Sequence, residues 1–204
     1  NKNQKELKKI LSYLKKFEKI SVRDINSSKI LNHLNIDHQI TLDPVLLYDF
    51  SEELKNITNI YKKNRYILIY GEVYDKKIIK NIKLLKIEKN LEIISLGYYN
   101  YWADKNIIYS LNPFLFLKIF KEAESIVTSM FHGTVLSIKF NKKFFLLENE
   151  YRVNKLSDLK KKFNFQSINI NKNKDLYIDF RKKINKQYSI KKKKILIKNI
   201  NESI

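Results

Sequence analysis

The polar turn at residues 128–134 carries the residue types best suited to binding a negatively charged group. It follows a short apolar run and precedes a second one with helical spacing, a pattern that predicts a buried strand, a tight turn and a helix. Backbone N–H groups in the first turn of a helix have no partner within it, so His132, Gly133 and Thr134 are candidates to bind an anion. The alternative is a capping cluster, with Ser129 as the helix cap and His132 partly packed.

Arginine is scarce in this chain, which makes each arginine informative. Of the 41 basic residues only four are arginines, so 41 − 4 = 37 are lysines. Where a sequence favours lysine so strongly, a retained arginine suggests a need for the planar fork that binds a carboxylate or a phosphate. Arg23 and Arg152 each follow a predicted strand and are candidate anion ligands. Structural ion pairs would explain both arginines equally well.

The formal charge of +20 does not by itself indicate nucleic-acid binding. A nucleic-acid-binding protein would be expected to use more arginine, which reads base edges and phosphates. The joint excess of lysine, asparagine and isoleucine is typical of AT-rich coding instead. We therefore expect no nucleic-acid partner, although a basic surface can favour anionic substrates or a membrane face.

Several kinds of chemistry have no signature in the sequence. Cysteine is absent, and neither an HExxH spacing nor a glycine-rich phosphate loop occurs, so we expect no metal and no resident cofactor. No apolar run reaches the roughly 18 residues of a membrane-spanning helix. The polar N-terminus lacks the apolar region of a signal peptide. We expect a cytoplasmic location, with peripheral association at the inner face of the membrane as an option.

Alternating strands and helices must position the candidate residues. Continuous apolar runs predict strands that are buried on both faces, and the segments between them have helical spacing. The predicted strands lie near 65–71, 91–97, 125–128 and 143–147, and the helices near 75–89, 113–120, 131–140 and 154–163. This alternation predicts an α/β fold with a parallel sheet flanked by helices. Ligands bind at the carboxyl ends of such strands, which selects Arg23, Asp43 and 129–133.

Local signals around these positions give three smaller predictions. Ser27 or Ser28 is expected to cap a helix after Arg23. Asp43, which precedes a proline, is expected to make a turn after an extended segment. The aromatic loop 98–102 could stack on a sugar ring, although such clusters are more often packed loops.

Three spaced elements and a tail segment resemble those of one family. Residues 20–24 (ISVRD) resemble its I-S-x-R-[DE] element, and residues 43–47 (DPVLL) resemble its D-P-[TV]-L-L element. Residues 128–133 (TSMFHG) resemble its F-H-G element, and residues 152–159 (RVNKLSDL) resemble its R-x-x-[RK]-[IL]-x-x-L tail. By these elements the chain is similar to the polysaccharide pyruvyl transferases, over the second half of the family's length.

The resemblance implies an architecture of two Rossmann-like domains that face a cleft, as in glycosyltransferases of the GT-B type. Residues 1–45 would be the end of a mostly missing N-terminal domain, and 46–64 would be a linker. Residues 65–172 would form the C-terminal Rossmann-like, donor-binding domain. Residues 173–204 would form helices that pack back toward the domain interface.

The resemblance also implies an activity, the transfer of a pyruvyl group from phosphoenolpyruvate to a sugar hydroxyl of a cell-surface polysaccharide or its precursor. The implied partners are phosphoenolpyruvate and a sugar or lipid-linked glycan, and no cofactor is required. His132 and Arg23 would be catalytic. The residues that would bind substrate are Ser129, Met130, Phe131, Gly133, Thr134, Arg152 and Asp43.

One departure from the family pattern affects the donor site. Some members carry arginine where this chain has Met130, so either Arg152 or Lys142 replaces it at the phosphate or the donor differs. Two other functions stay open, a GT-B-like glycosyltransferase that uses a nucleotide sugar and a non-catalytic fragment of either enzyme.

Overall fold

The computed structural model describes residues 2–109, 111–148, 153–163 and 168–169. The first part of the chain contains a small parallel sheet. The elements of this first part are α1 (Lys2–Leu14), β1 (Ser21–Val22), α2 (Ile25–His33), β2 (Gln39–Ile40), α3 (Pro44–Leu47) and α4 (Ser51–Lys55). β1 and β2 pair in parallel, with Ser21 opposite Gln39. The residues that follow the two strands therefore leave this sheet at the same edge.

The main sheet is parallel and has helices between its strands. Its strands are β3 (Tyr66–Tyr70), β4 (Glu92–Leu96), β5 (Lys105–Ile107), β6 (Ser125–Thr128), β7 (Lys143–Glu148) and the two-residue edge strand β8 (Ile168–Asn169). The helices are α5 (Lys76–Lys89), α6 (Pro113–Glu122), α7 (Phe131–Lys139) and α8 (Val153–Phe163). The predicted α/β fold with a parallel sheet is confirmed.

The strand order places a crevice between β3 and β6. The order is β5-β4-β3-β6-β7-β8, so the chain winds outward from β3 in one direction and then from β6 in the other. In doubly wound sheets the strands on either side of this reversal leave a crevice at their carboxyl ends, where ligands bind. The residues after Tyr70 and Thr128 therefore border the natural site of the fold.

Both faces of the main sheet are buried, which explains why its strands are apolar throughout. Leu68 belongs to one hydrophobic core and Ile67 to the other. Leu42 and Leu46, on either side of the start of α3, belong to the same core as Leu68. The segment around α3 is thus packed onto the main sheet and is not a free connection.

Several local predictions differ from the structure. Asp24, rather than Ser27 or Ser28, caps α2, because its carboxylate accepts from the Ser27 N–H. Met130 rather than Ser129 occupies the cap position of α7. Asp43 ends the extended segment as expected, but its carboxylate also begins the short helix α3, which was not predicted.

Other expectations of the domain layout stay predictions. These are the GT-B-like pair of domains, the preceding N-terminal domain and the domain boundaries. The predicted C-terminal helices at 173–204 lie outside the described residues. Within the described ranges, no helix combines the length and the apolar composition that crossing a membrane requires.

Candidate anion-binding site

The turn between β6 and α7 is fixed to the neighbouring strand by one hydroxyl group. The Thr128 hydroxyl donates to the Tyr70 carbonyl at 2.7 Å and accepts from the Met130 N–H at 3.0 Å. The turn is thereby held across the crevice between β3 and β6. Met130 offers no side-chain acceptor to the first turn of α7. The N–H groups of Phe131, His132 and Gly133, in the first turn of α7, therefore have no partner within the helix.

Two glycines allow the backbone segments to approach closely at this point. A Cβ atom on Gly133 would lie 2.1 Å from Thr128 Oγ1 and 2.9 Å from Tyr70 Cδ1. A Cβ atom on Gly71 would lie 2.5 Å from Ser129 Oγ, and the φ angle of +132° at Gly71 is one that residues with side chains rarely adopt. Both glycines are required by the packing of α7 against the two strand ends.

Arg23 reaches this turn from the end of β1. Its Nη1 donates to Asp43 Oδ2 at 2.7 Å, and its guanidinium carbon lies 4.6 Å from the centre of the Phe131 ring. The Arg23 side chain is 37% exposed, and its Nε and Nη2 have no hydrogen-bond partner among the described residues. One edge of the guanidinium fork is thus held in place while the other is open to a ligand.

His132 follows Phe131 in the chain and is exposed. Its ring packs edge-on against Phe131, with the ring centroids 5.4 Å apart. Among the described residues we find no hydrogen-bond partner for either ring nitrogen of His132. The imidazole can therefore donate a hydrogen bond to, or exchange a proton with, a molecule bound at this turn.

Asp43 is the buried member of the cluster that it forms with Arg23, Phe131 and His132. Its side chain is 3% exposed, and its two oxygens divide their roles, because Oδ2 accepts from Arg23 and Oδ1 accepts from the Val45 N–H at 3.1 Å. Lys139, on α7, donates to the carbonyls of Leu46 and Tyr48 at the end of the same short helix. Burial lowers the pKa of Lys139 below that of a free lysine. These contacts tie α3 to α7 and so tie Asp43 to the turn that carries His132.

The three segments that resemble family elements, 20–24, 43–47 and 128–133, therefore meet in one place. A family model described as polysaccharide pyruvyl transferase matches residues 1–151, which are 151 of the 204 residues. The chain belongs to the polysaccharide pyruvyl transferase family. No curated protein matches the chain in sequence. α8 lies beyond the residues that the family model covers.

The remaining candidate residues of this pyruvyl transferase family member differ in what they can offer. Thr134 is fully buried, and both its N–H and its hydroxyl donate to the Met130 carbonyl. The expectation that the Thr134 N–H binds an anion is therefore wrong. Ser129 is also buried, opposite Gly71. Arg152 lies outside the described residues.

Lys142 cannot take the place of the arginine that some family members carry at the Met130 position. It immediately precedes β7 and so lies at the amino end of that parallel strand, whereas the site is at the carboxyl ends. Burial lowers its pKa, and its charged neighbours include Glu124 and Lys62. The alternative that Lys142 meets the donor phosphate is therefore wrong.

Two tyrosines support the site: Tyr70, which the sequence analysis missed, and Tyr98, which it named only as part of the aromatic loop 98–102. The Tyr98 hydroxyl donates to Met130 Sδ at 3.5 Å, and the Tyr70 ring lies beneath Gly133 and packs edge-on against Tyr98. Both tyrosines lie at strand ends, which is the signal that could have identified them. Trp102, from the same aromatic loop, is buried and donates to the Val73 carbonyl, so it is a packed loop residue.

A cavity adjoins the site on the side of the aromatic loop. It has a volume of about 530 Å³ and is bounded by Val45 on α3 and by Tyr70, Tyr98 and Tyr109. None of the described residues that line it is charged. Elsewhere in the described ranges, no three acidic or histidine side chains come close enough to hold a metal ion.

Proposed function

We propose that this family member transfers a pyruvyl group from phosphoenolpyruvate to a sugar hydroxyl of a cell-surface polysaccharide or its precursor. The family relationship supports pyruvyl transfer in general. The observation that carries the donor assignment is the open edge of Arg23, whose guanidinium is held by Asp43 and lies over Phe131, the residue that packs against His132. The proposed reaction needs no resident cofactor.

Phosphoenolpyruvate carries two anionic groups, and the site offers two kinds of anion ligand. The Nε and Nη2 edge of Arg23 matches the two oxygens of a carboxylate or a phosphate. The first-turn N–H groups of α7 and the positive end of its helix dipole suit the other group. Because Thr134 is already bonded, these donors are the N–H groups of Phe131, His132 and Gly133.

His132 is assigned to the chemical step. In ketal formation a proton is added to C3 of the donor, which makes C2 electrophilic. Two hydroxyls of the sugar then bond to C2, and the C2–O bond to phosphate breaks. One hydroxyl proton is balanced by the proton gained at C3, and the other leaves with the phosphate. The exposed imidazole of His132 donates a hydrogen bond to the departing phosphate or supplies the proton.

The cavity beside the site provides room for the acceptor. It lies between α3, which Asp43 caps, and Tyr98, which contacts Met130. Aromatic walls are suited to the C–H face of a neutral sugar ring. A strongly basic chain, with a formal charge of +20, also supports a peripheral location at the anionic inner face of the membrane, where lipid-linked glycans would be presented.

The His132→Ala variant of the full-length protein tests this function. We expect phosphate release from phosphoenolpyruvate, in the presence of a glycan acceptor, to fall by about 100-fold or more, which is typical for the loss of a general acid or of a key phosphate ligand. His33→Ala is the matched control, because His33 is exposed on α2 and lies outside the cluster.

Turnover of His132→Ala within a few-fold of wild type would contradict the catalytic role. Wild-type protein that releases a nucleotide from a nucleotide sugar, and no phosphate from phosphoenolpyruvate, would favour the glycosyltransferase alternative instead. Wild-type protein with neither activity on the acceptors offered would contradict the proposed function and favour the non-catalytic alternative.

A further inference from the structure

α8 delivers a buried carboxylate to the start of α2. Asp158 is only 7% exposed, and its Oδ2 accepts a hydrogen bond from the Ile25 N–H at 2.6 Å, across 133 residues of sequence. The apolar side of α8 is anchored in the main core through Leu156 and Phe163, which are 0% and 2% exposed. The carboxylate therefore comes from a rigidly packed element.

This contact is not needed to cap α2, because α2 already has its own cap. Asp24 Oδ1 accepts from the Ser27 N–H at 2.8 Å, and Asp24 Oδ2 accepts from the Ser27 hydroxyl. Asp158 binds a different N–H group, that of the first helical residue, which would otherwise be an unpaired donor. A second carboxylate, from the distant helix α8, fixes the position of α2 relative to the main sheet.

The residue that this contact would position is Arg23. Arg23 lies two residues before Ile25, in the turn that joins β1 to α2. Its side chain must remain on Asp43 and over Phe131 for its open edge to stay at the turn that carries His132. Phe131 belongs to α7, which packs on the main sheet. A shift of the first turn of α2 would therefore separate the guanidinium of Arg23 from the Phe131 ring.

We propose that Asp158 is a positioning residue that holds the turn with Arg23 against the main sheet. By this contact α8, which lies outside the residues that the family model matches, shapes the anion site. Its effect on donor affinity rests on the proposed function, whereas its effect on the Arg23 side chain does not. A ligand on the Nε and Nη2 edge of the guanidinium leaves the Nη1 bond to Asp43 in place. The Asp158 contact acts on the backbone and persists when the ligand is bound.

The test compares four variants of the full-length protein. Asp158→Ala removes the acceptor, and Asp158→Asn keeps an oxygen that can accept from the Ile25 N–H. Ile25→Pro removes the donor instead, at a first helical position that tolerates proline. Asp104→Ala is the control, because it removes a similar bond between β4 and β5, in which the Ile93 N–H donates to Asp104 Oδ2 at 2.7 Å, together with the ion pair of Asp104 with Lys86.

Two readouts separate positioning from general stability. One is the Kd for phosphoenolpyruvate, by isothermal titration calorimetry, together with KM and kcat. The other is the NMR signal of the Arg23 Nε–H, identified by its loss in Arg23→Lys, because the ring current of Phe131 shifts it while the guanidinium stays over the ring.

We expect Asp158→Ala and Ile25→Pro to raise the Kd for phosphoenolpyruvate and its KM by roughly fivefold, with kcat within about twofold of wild type. The Arg23 signal should move toward that of an exposed arginine in both, while Asp158→Asn and Asp104→Ala stay near wild type. An unmoved Arg23 signal in Asp158→Ala and Ile25→Pro, or an equal effect of Asp104→Ala, would overturn the proposal. If wild-type protein does not bind phosphoenolpyruvate, the proposed function fails and the Arg23 signal alone decides this inference.

Discussion

At the residue scale, the geometry of Arg23 gives the clearest physical reason for a binding site. A surface ion pair between Arg23 and Asp43 would contribute little by itself. Here the carboxylate is buried and also caps α3, while half of the guanidinium fork remains open. Arg23 was predicted from the scarcity of arginine in a lysine-rich chain. Its partners Asp43 and Phe131 were predicted only as separate substrate-binding residues, because their contact depends on the three-dimensional pairing of β1 with β2.

We predict that Arg23→Lys weakens binding of phosphoenolpyruvate by about tenfold or more. Lysine keeps the positive charge but lacks the planar fork that binds Asp43 on one side and two oxygens of a ligand on the other. A hydrogen bond to a charged group contributes about 1.5–3 kcal/mol. Isothermal titration calorimetry measures the change. Arg65→Lys is the control, because Arg65 pairs with Glu124 on the surface and is 60% exposed. An unchanged Kd in Arg23→Lys would remove Arg23 from the donor site.

At the scale of elements, the site depends on how closely α7 packs against the ends of β3 and β6. The strand, turn and helix were predicted from apolar runs around a polar turn, and they are confirmed. The bonded state of the Thr134 N–H was not predicted, because it depends on where the first helical turn begins. α3 and β5 were also missed. α3 has four residues, too few for a helical period, and β5, at the edge of the sheet, contains the polar pair Lys105-Asn106.

We predict that Gly133→Ala lowers the free energy of unfolding by about 1–3 kcal/mol, the usual cost of overpacking. The added Cβ atom would lie 2.1 Å from Thr128 Oγ1, and the nearby strand end leaves little room for α7 to shift. Urea denaturation followed by circular dichroism measures the change. Lys80→Ala is the control, since Lys80 is an exposed position on α5. Wild-type stability in Gly133→Ala would show that the close approach of α7 is not required.

At the scale of the whole molecule, three chain segments from two sheets form one site. Arg23 directly follows β1 of the small sheet, and Asp43 caps α3. The turn with Phe131 and His132 lies at the crevice of the main sheet. The parallel sheet could be predicted because its buried strands are continuously apolar. The long-range contact of Asp158 with Ile25 could not, because no local pattern encodes a bond across 133 residues.

The most direct test of the central claim is a crystal structure of the full-length protein with phosphoenolpyruvate. We expect one anionic group of the donor within hydrogen-bond distance of Nε and Nη2 of Arg23, and the other at the first-turn N–H groups of α7, with the phosphate oxygens in reach of His132. Arg23 should keep its contact with Asp43. Phosphoenolpyruvate bound elsewhere on the molecule, or in this crevice without contact to Arg23 and His132, would contradict the account.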